Sequence, residues 1–235
     1  MKIIVCLHAA PPGGQPLADN DREAIRLARG LGQENEVIAL LAGTKDETAP
    51  LEAALRAGVD RAARVSGESF AAADFHTLGQ VLGAAARTLG AQLILGGAHS
   101  DTDGLGALTA SIARHTSLPH LANIESLAPT APADAEAARS LPLTVTVRGE
   151  GRKRRLAVGL PMVMSVVRGA AAPPDEPERP AAPGRSIETL AIFDPEVTVI
   201  RRRTEILGTS ATAERPVKTV TSAAELIAGL ARGEG

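Results

Sequence analysis

Short apolar runs alternating with amphipathic helical stripes predict a doubly wound α/β fold with a mostly parallel sheet. Residues 2–7 (KIIVCL), 36–42 (EVIALLA), 61–65 (RAARV) and 92–95 (QLIL) are short, mostly apolar and end near Gly, Ser or His, as strands buried on both faces do. Between them, apolar residues recur at helical spacing and stop at glycines. The composition is aliphatic: of 235 residues, 23 are Gly and 3 are Phe, with neither Tyr nor Trp, so the core is made of closely layered small side chains. Strand, helix, strand, helix implies right-handed crossovers onto one sheet.

The elements follow in order. After the first strand, Asn20 and Glu23 have capping-box spacing, Ala24, Leu27, Ala28 and Leu31 share one face, and Gly32 stops the helix. A second helix over 51–57 ends at Gly58. Phe75, Leu78, Val81, Leu82, Ala85 and Leu89 form a third stripe that stops at Gly90. A glycine-rich loop over 96–108 leads into a helix over 107–116. Residues 120–127 read as another strand, and 128–140 (APTAPADAEAARS) as loop. Residues 143–148 and 155–167 read as two strands of an antiparallel hairpin at the sheet edge, with Arg152–Arg155 (RKRR) in the solvated turn beside Gly149 and Gly151. Residues 168–186 hold five of the sixteen prolines and favour an extended path. Beyond them, 196–207 read as a strand, and Ser222 with Glu225 caps a last helix carrying Leu226, Ile227 and Leu230, short enough to need a surface to dock on. The expected division is an α/β nucleotide-binding domain over 1–167, then an extended arm with a terminal strand and helix over 168–235.

Charge and composition exclude several classes. Lys and Arg number 25 against 27 Asp and Glu, a net charge of −2, which gives no basic surplus for phosphates, and aromatics for base stacking are nearly absent. Nucleic-acid binding is not expected. The single cysteine, Cys6, cannot close an internal disulfide, which points to a reducing compartment and a cytoplasmic location. The longest apolar stretch, 156–167, is broken by Gly159, Pro161 and Ser165, far short of the roughly 20 residues of a membrane helix. Only Ile3 to Leu7 precede His8, too few for a signal-peptide core of about 7–15 residues.

In an open parallel sheet, ligands sit beyond the carboxyl ends of the strands where the winding reverses. For a strand order 3-2-1-4-5, that point lies between the first and fourth strands, beside loops 8–17 and 96–108. The helix after the second loop offers free amides and the positive dipole end to a phosphate. Gly104-Leu105-Gly106 resembles part of a dinucleotide fingerprint, but position 109 is Thr and the motif follows the fourth strand, so a nucleotide pocket and a plain glycine-rich turn are both open readings. Other constellations read as ordinary loop and core chemistry. Asp101 and Asp103 start like a calcium loop, yet Leu105 and Ile112 occupy ligand positions. His99, Ser100 and Asp101 are sequence neighbours without a nucleophile elbow. His8, His76, His99, His115 and His120 show no metal-ligand spacing, and Cys6 lies in a buried strand. No catalytic or metal residue is expected.

With these residues in hand, the chain resembles the β subunit of electron transfer flavoprotein, as a diverged bacterial-type member. The resemblance rests on MKIIVCL at the start; Asp21, Ala24, Ile25 and Ala28; EVIALLAG and ALRAGVDRAARV; LILGGAHSDTDGLGALTASIARHTSLP; LPMVMSV; the proline-rich exit; and PVKTVTSAAELIAGL near the end. It implies a Rossmann-like, adenine-nucleotide-binding fold of the HUP type and a heterodimer. The α subunit would hold most of an FAD while this chain buries an AMP. Carried over by position, the nucleotide contacts are Cys6, Ala18, Asp19, Asn20, Asp21, Ala42, Gly97, Ala98, His99, Ser100, Asp101, Thr102, Asp103, Gly104, Leu105, Gly106, Ala107 and Leu108. Ala18 stands where the family prefers Asn, which leaves mainly backbone amides for the ligand. The segment from Val166 to Glu188 would recognise a flavin dehydrogenase as electron donor, and a quinone oxidoreductase would accept the electrons. The chain is then an electron carrier, not an enzyme; the flavin carries the redox chemistry and the protein binds and orients it.

Two other readings of the same layer remain open. One is an ATP-binding or adenylating protein. The other is a β subunit of the bifurcating type, with FAD where AMP would sit.

Overall fold

The first strand, β1 (Lys2–Cys6), is covered on both faces: Ile3 and Val5 enter one aliphatic layer, and Ile4 and Cys6 enter the other. The computed structural model describes residues 1–10, 13–99, 106–130, 142–149, 151–167 and 186–191, with only the backbone at 71 and 72. After β1 the described elements are α1 (Asp19–Arg29), β2 (Glu36–Gly43), α2 (Ala49–Arg56), β3 (Arg61–Ser66), a short 3-10 turn (Glu68–Ala72), α3 (Phe75–Thr88), β4 (Leu93–Gly97) and α4 (Leu108–Thr116). They continue with β5 (His120–Pro129), β6 (Leu143–Gly149), β7 (Arg152–Val158), β8 (Met162–Val166) and β9 (Ile187–Leu190). No helix among the described residues is long and apolar enough to cross a membrane.

Among these residues nine strands form one sheet in the order β7-β6-β5-β8-β4-β1-β2-β3-β9. The mixed α/β architecture with a mostly parallel sheet is the one expected from the sequence. Only β6 runs against its neighbours, antiparallel to β5 on one side and β7 on the other. The winding reverses between β1 and β4, which pair directly in parallel with Val5 beside Leu95.

Two details differ from the sequence reading. The run 155–167 is not one hairpin strand: it breaks at Gly159 to Pro161, and β8 inserts in parallel between β4 and β5. The strand order past the switch point is therefore 1-4-8-5. The physical reason is burial: MVMSV is apolar apart from Ser165 and buried from Val163 to Val166, suited to the sheet interior, whereas Arg152 to Ala157 are all exposed, as an edge allows. The RKRR run consequently lies within β7, not in the turn, which falls at Gly151 with φ 65°.

The second difference is the start of α1. Asn20 lies inside the helix behind an Ala18 N-cap that makes no side-chain cap bond, and Glu23 Oε1 accepts from Arg26 at 2.8 Å instead of reaching back to the cap. Helix stops at glycine are observed: Gly32, Gly58 and Gly90 have φ of 113°, 97° and 74°. The third helix has a cap that its stripe did not reveal, Asp74 Oδ1 accepting from the Thr77 amide at 2.8 Å. Ile187–Leu190, absent from the strands read in the sequence, pairs in parallel with β3 and forms the second edge. The expected strand over 196–207 and the helix capped by Ser222 and Glu225 lie outside the described residues.

Candidate functional site

The carboxyl ends of β1 and β4 are held together by one buried side chain from α1. Asp21 is fully buried; its Oδ2 accepts the His8 amide at 2.7 Å and its Oδ1 accepts the Gly97 amide at 3.1 Å. The His8 ring adds Nδ1 at 2.9 Å from Oδ1 and 3.2 Å from Oδ2. An aspartate in the first helical turn suits the positive end of the helix dipole, and here it also satisfies backbone amides of two strand ends. Burial pushes the Cys6 thiol well above its ordinary pKa, and the Asp21 charge adds to the effect, so Cys6 is a protonated core residue.

Glycine at the end of β4 is required by this packing. A β-carbon on Gly97 would lie 2.6 Å from Asp21 Oδ1 and 2.8 Å from Asn20 Cβ, and one on Gly96 would lie 2.8 Å from the Thr109 methyl group. One on Gly106 would strike the Ala98 carbonyl oxygen. Ala98 donates its amide to the Val166 carbonyl at 2.8 Å, which joins the end of β4 to β8. Ala107 precedes α4 without a side-chain cap, and the first turn of α4 carries no acidic residue. Position along the sheet is set further by the tight contact of α3 with α4, where a β-carbon on Gly79 would come within 2.5 Å of Ser111 Cβ.

Asn20 is the unsatisfied member of this group. It is 8 % exposed, its Nδ2 donates to the His99 carbonyl at 3.3 Å, and its Oδ1 is buried with no hydrogen-bond partner among the described residues. A buried acceptor left unpaired costs about 1–3 kcal/mol. The Asn20 side chain packs against Gly97 at the switch point of the sheet.

The structure gathers Cys6, Ala18, Asp19, Asn20, Asp21, Gly97, Ala98 and His99 around the ends of β1 and β4, with Ala42 near the end of the adjacent β2. Gly106, Ala107 and Leu108 stand at the start of α4. Ser100, Asp101, Thr102, Asp103, Gly104 and Leu105 lie outside the described residues. The sequence reading left His8 as a structural histidine; its contacts with Asp21 place it in the same cluster. The available signal was a polar residue just past a buried strand, facing the acid-rich start of the next helix. Among the described residues no group of three or more His, Cys, Asp or Glu side chains could hold a metal ion.

A family model described as electron transfer flavoprotein domain matches residues 10–195, from just after β1 to just past β9. No curated protein matches the chain.

Proposed function

The chain belongs to the electron transfer flavoprotein domain family, and on that premise we propose that it is the β-type subunit of a heterodimeric electron carrier with an AMP in the notch between β1 and β4. The observation that supports this most is the buried Oδ1 of Asn20, without a partner among the described residues, on a side chain packed against Gly97. It needs a donor, and an adenine amine or a ribose hydroxyl supplies one. The uncapped start of α4 offers amides of the kind that hold a phosphate. Glycines at 96, 97 and 106 let α1, α4 and the end of β4 pack closely around the switch point.

Asp21 holds the two strand ends in register, so the rim is built before the nucleotide arrives. Gly97 lets α1 close onto the end of β4, and Asn20 orients the ligand donor. Both cofactors belong to the proposal: AMP in this chain and an FAD held mainly by the partner subunit. The bound flavin would supply the redox chemistry of carriage between a flavin dehydrogenase and a quinone oxidoreductase, with this chain binding and orienting it. Residues 168–235 serve the partner and the donor, apart from Ile187–Leu190, which pair with β3. The protein works in the cytoplasm.

Co-expression with an α-type subunit tests the subunit assignment. A yellow heterodimer containing FAD is expected. A monodisperse monomer that ignores every α-type subunit offered, or one that hydrolyses ATP alone, would overturn it.

A further inference from the structure

We propose that the free edge of β7 docks an extended acidic segment of a partner protein, which adds as a strand beyond the β6–β7 hairpin. The proposal does not depend on the subunit assignment. Strand β7 ends the sheet, so one row of its backbone amides and carbonyls has no strand partner among the described residues. From Arg152 to Ala157 every residue is exposed.

The charge on this edge is built into the fold. Glu125, at the irregularity in β5, is only 4 % exposed, yet two cations reach it: Lys153 at 3.0 Å and Arg148, which sit opposite each other across β6 and β7. The Lys153 hydrogen bond first, and then Arg148, hold the Glu125 carboxyl below its ordinary pKa, so it stays ionised and keeps both cations in place. Arg152, Arg154 and Arg155 have no carboxylate partner among the described residues. The described residues of β5, β6 and β7 thus carry five lysines and arginines and one carboxylate, in a chain whose net charge is −2.

A strand edge guarded only against aggregation needs a solvated charge or two. Here Arg152, Arg154 and Leu156 alternate onto one face, and Leu156 is 38 % exposed, one of two large apolar side chains exposed among the described residues. An incoming strand would find backbone pairing, two arginine forks for carboxylates at alternate positions, and an apolar contact. A nucleic acid would meet the charges but not the backbone row, and β7 carries no aromatic on which a base could stack.

The test uses the full chain and a fluorescent ten-residue peptide of alternating Glu and Val. Its Gln counterpart, a version N-methylated on alternate amides, and a DNA duplex serve as comparisons. The Glu peptide should bind, and R152Q/R154Q/R155Q should weaken it at least tenfold while melting cooperatively as the wild type does. On the wild-type chain alone, the Gln and N-methylated peptides should each bind at least tenfold more weakly. Equal binding of the N-methylated peptide, no loss with the Gln peptide, or DNA binding at least as tight as the Glu peptide would overturn the proposal.

Discussion

Asp21 reaches from α1 to accept the Gly97 amide at 3.1 Å, so the helix that follows β1 is pinned to the end of β4 across the switch point of the sheet. The same carboxylate accepts the His8 amide at 2.7 Å. One side chain therefore sets the spacing of the two strand ends that flank the proposed ligand site.

Replacing Asp21 with Ala leaves two strand-end amides without their acceptor and opens a void in the rim. At about 1–3 kcal/mol for each orphaned buried group, the variant should lose roughly 2–5 kcal/mol. Urea unfolding of Asp21→Ala beside the wild type measures this. A loss below about 1 kcal/mol would mean that the tie is not a structural one.

Asn20→Ala separates ligand binding from folding. Its Oδ1 has no partner among the described residues and its Nδ2 makes one 3.3 Å bond, so nucleotide-free protein should change stability by no more than about 1 kcal/mol. The nucleotide retained through purification should fall at least tenfold. Unchanged retention would remove Asn20 from the site.

Gly97→Ala places a methyl group 2.6 Å from Asp21 Oδ1 and 2.8 Å from Asn20 Cβ, against buried and tethered atoms. Overpacking of this kind costs about 1–3 kcal/mol. Both the melting temperature and nucleotide retention should drop. Gly151→Ala, where no neighbour lies within 4 Å, should leave nucleotide retention unaltered although its φ of 65° strains the turn.

Acid should weaken the fold through two histidines. Burial, with His76 and then Arg114 and Arg87 nearby, lowers the His115 pKa below its ordinary 6.5, and burial lowers that of His120. In both cases the unfolded chain binds the proton more readily. Stability is therefore full above pH 6.5 and declines as pH falls from there towards the folded-state values. The slope of unfolding free energy between pH 7 and pH 5 should be shallower in H115Q/H120Q. An identical slope would contradict the assignment.

Much of the sheet was legible in the sequence because buried parallel strands leave a direct trace: KIIVC, EVIALLAG and LILGG are apolar without alternation and end at small residues. Glycine stops were equally plain, since Gly32, Gly58 and Gly90 take up the positive φ that other residues resist. What escaped depends on long-range pairing. Residues 152–166 hold an exposed edge strand and a buried interior strand in succession, and only the partners distinguish them: β6 for one, β4 and β5 for the other. Ile187–Leu190 is too short and too exposed to stand out, and gains its pairing only from β3. At the site, the small residues around Gly97 were readable. The role of Asp21 was not, because its two amide partners lie 13 residues before and 76 residues after it in the chain.

The proposed function comes down to which nucleotides the protein carries. The heterodimer, purified without added cofactor and denatured, would be resolved by chromatography, and the released nucleotides counted per complex. One FAD and one AMP per heterodimer is the predicted result. Two FAD and no AMP would place a flavin in the notch beside Asn20 and Gly97 and make the protein a bifurcating carrier, and an absence of any adenine nucleotide would contradict the site itself.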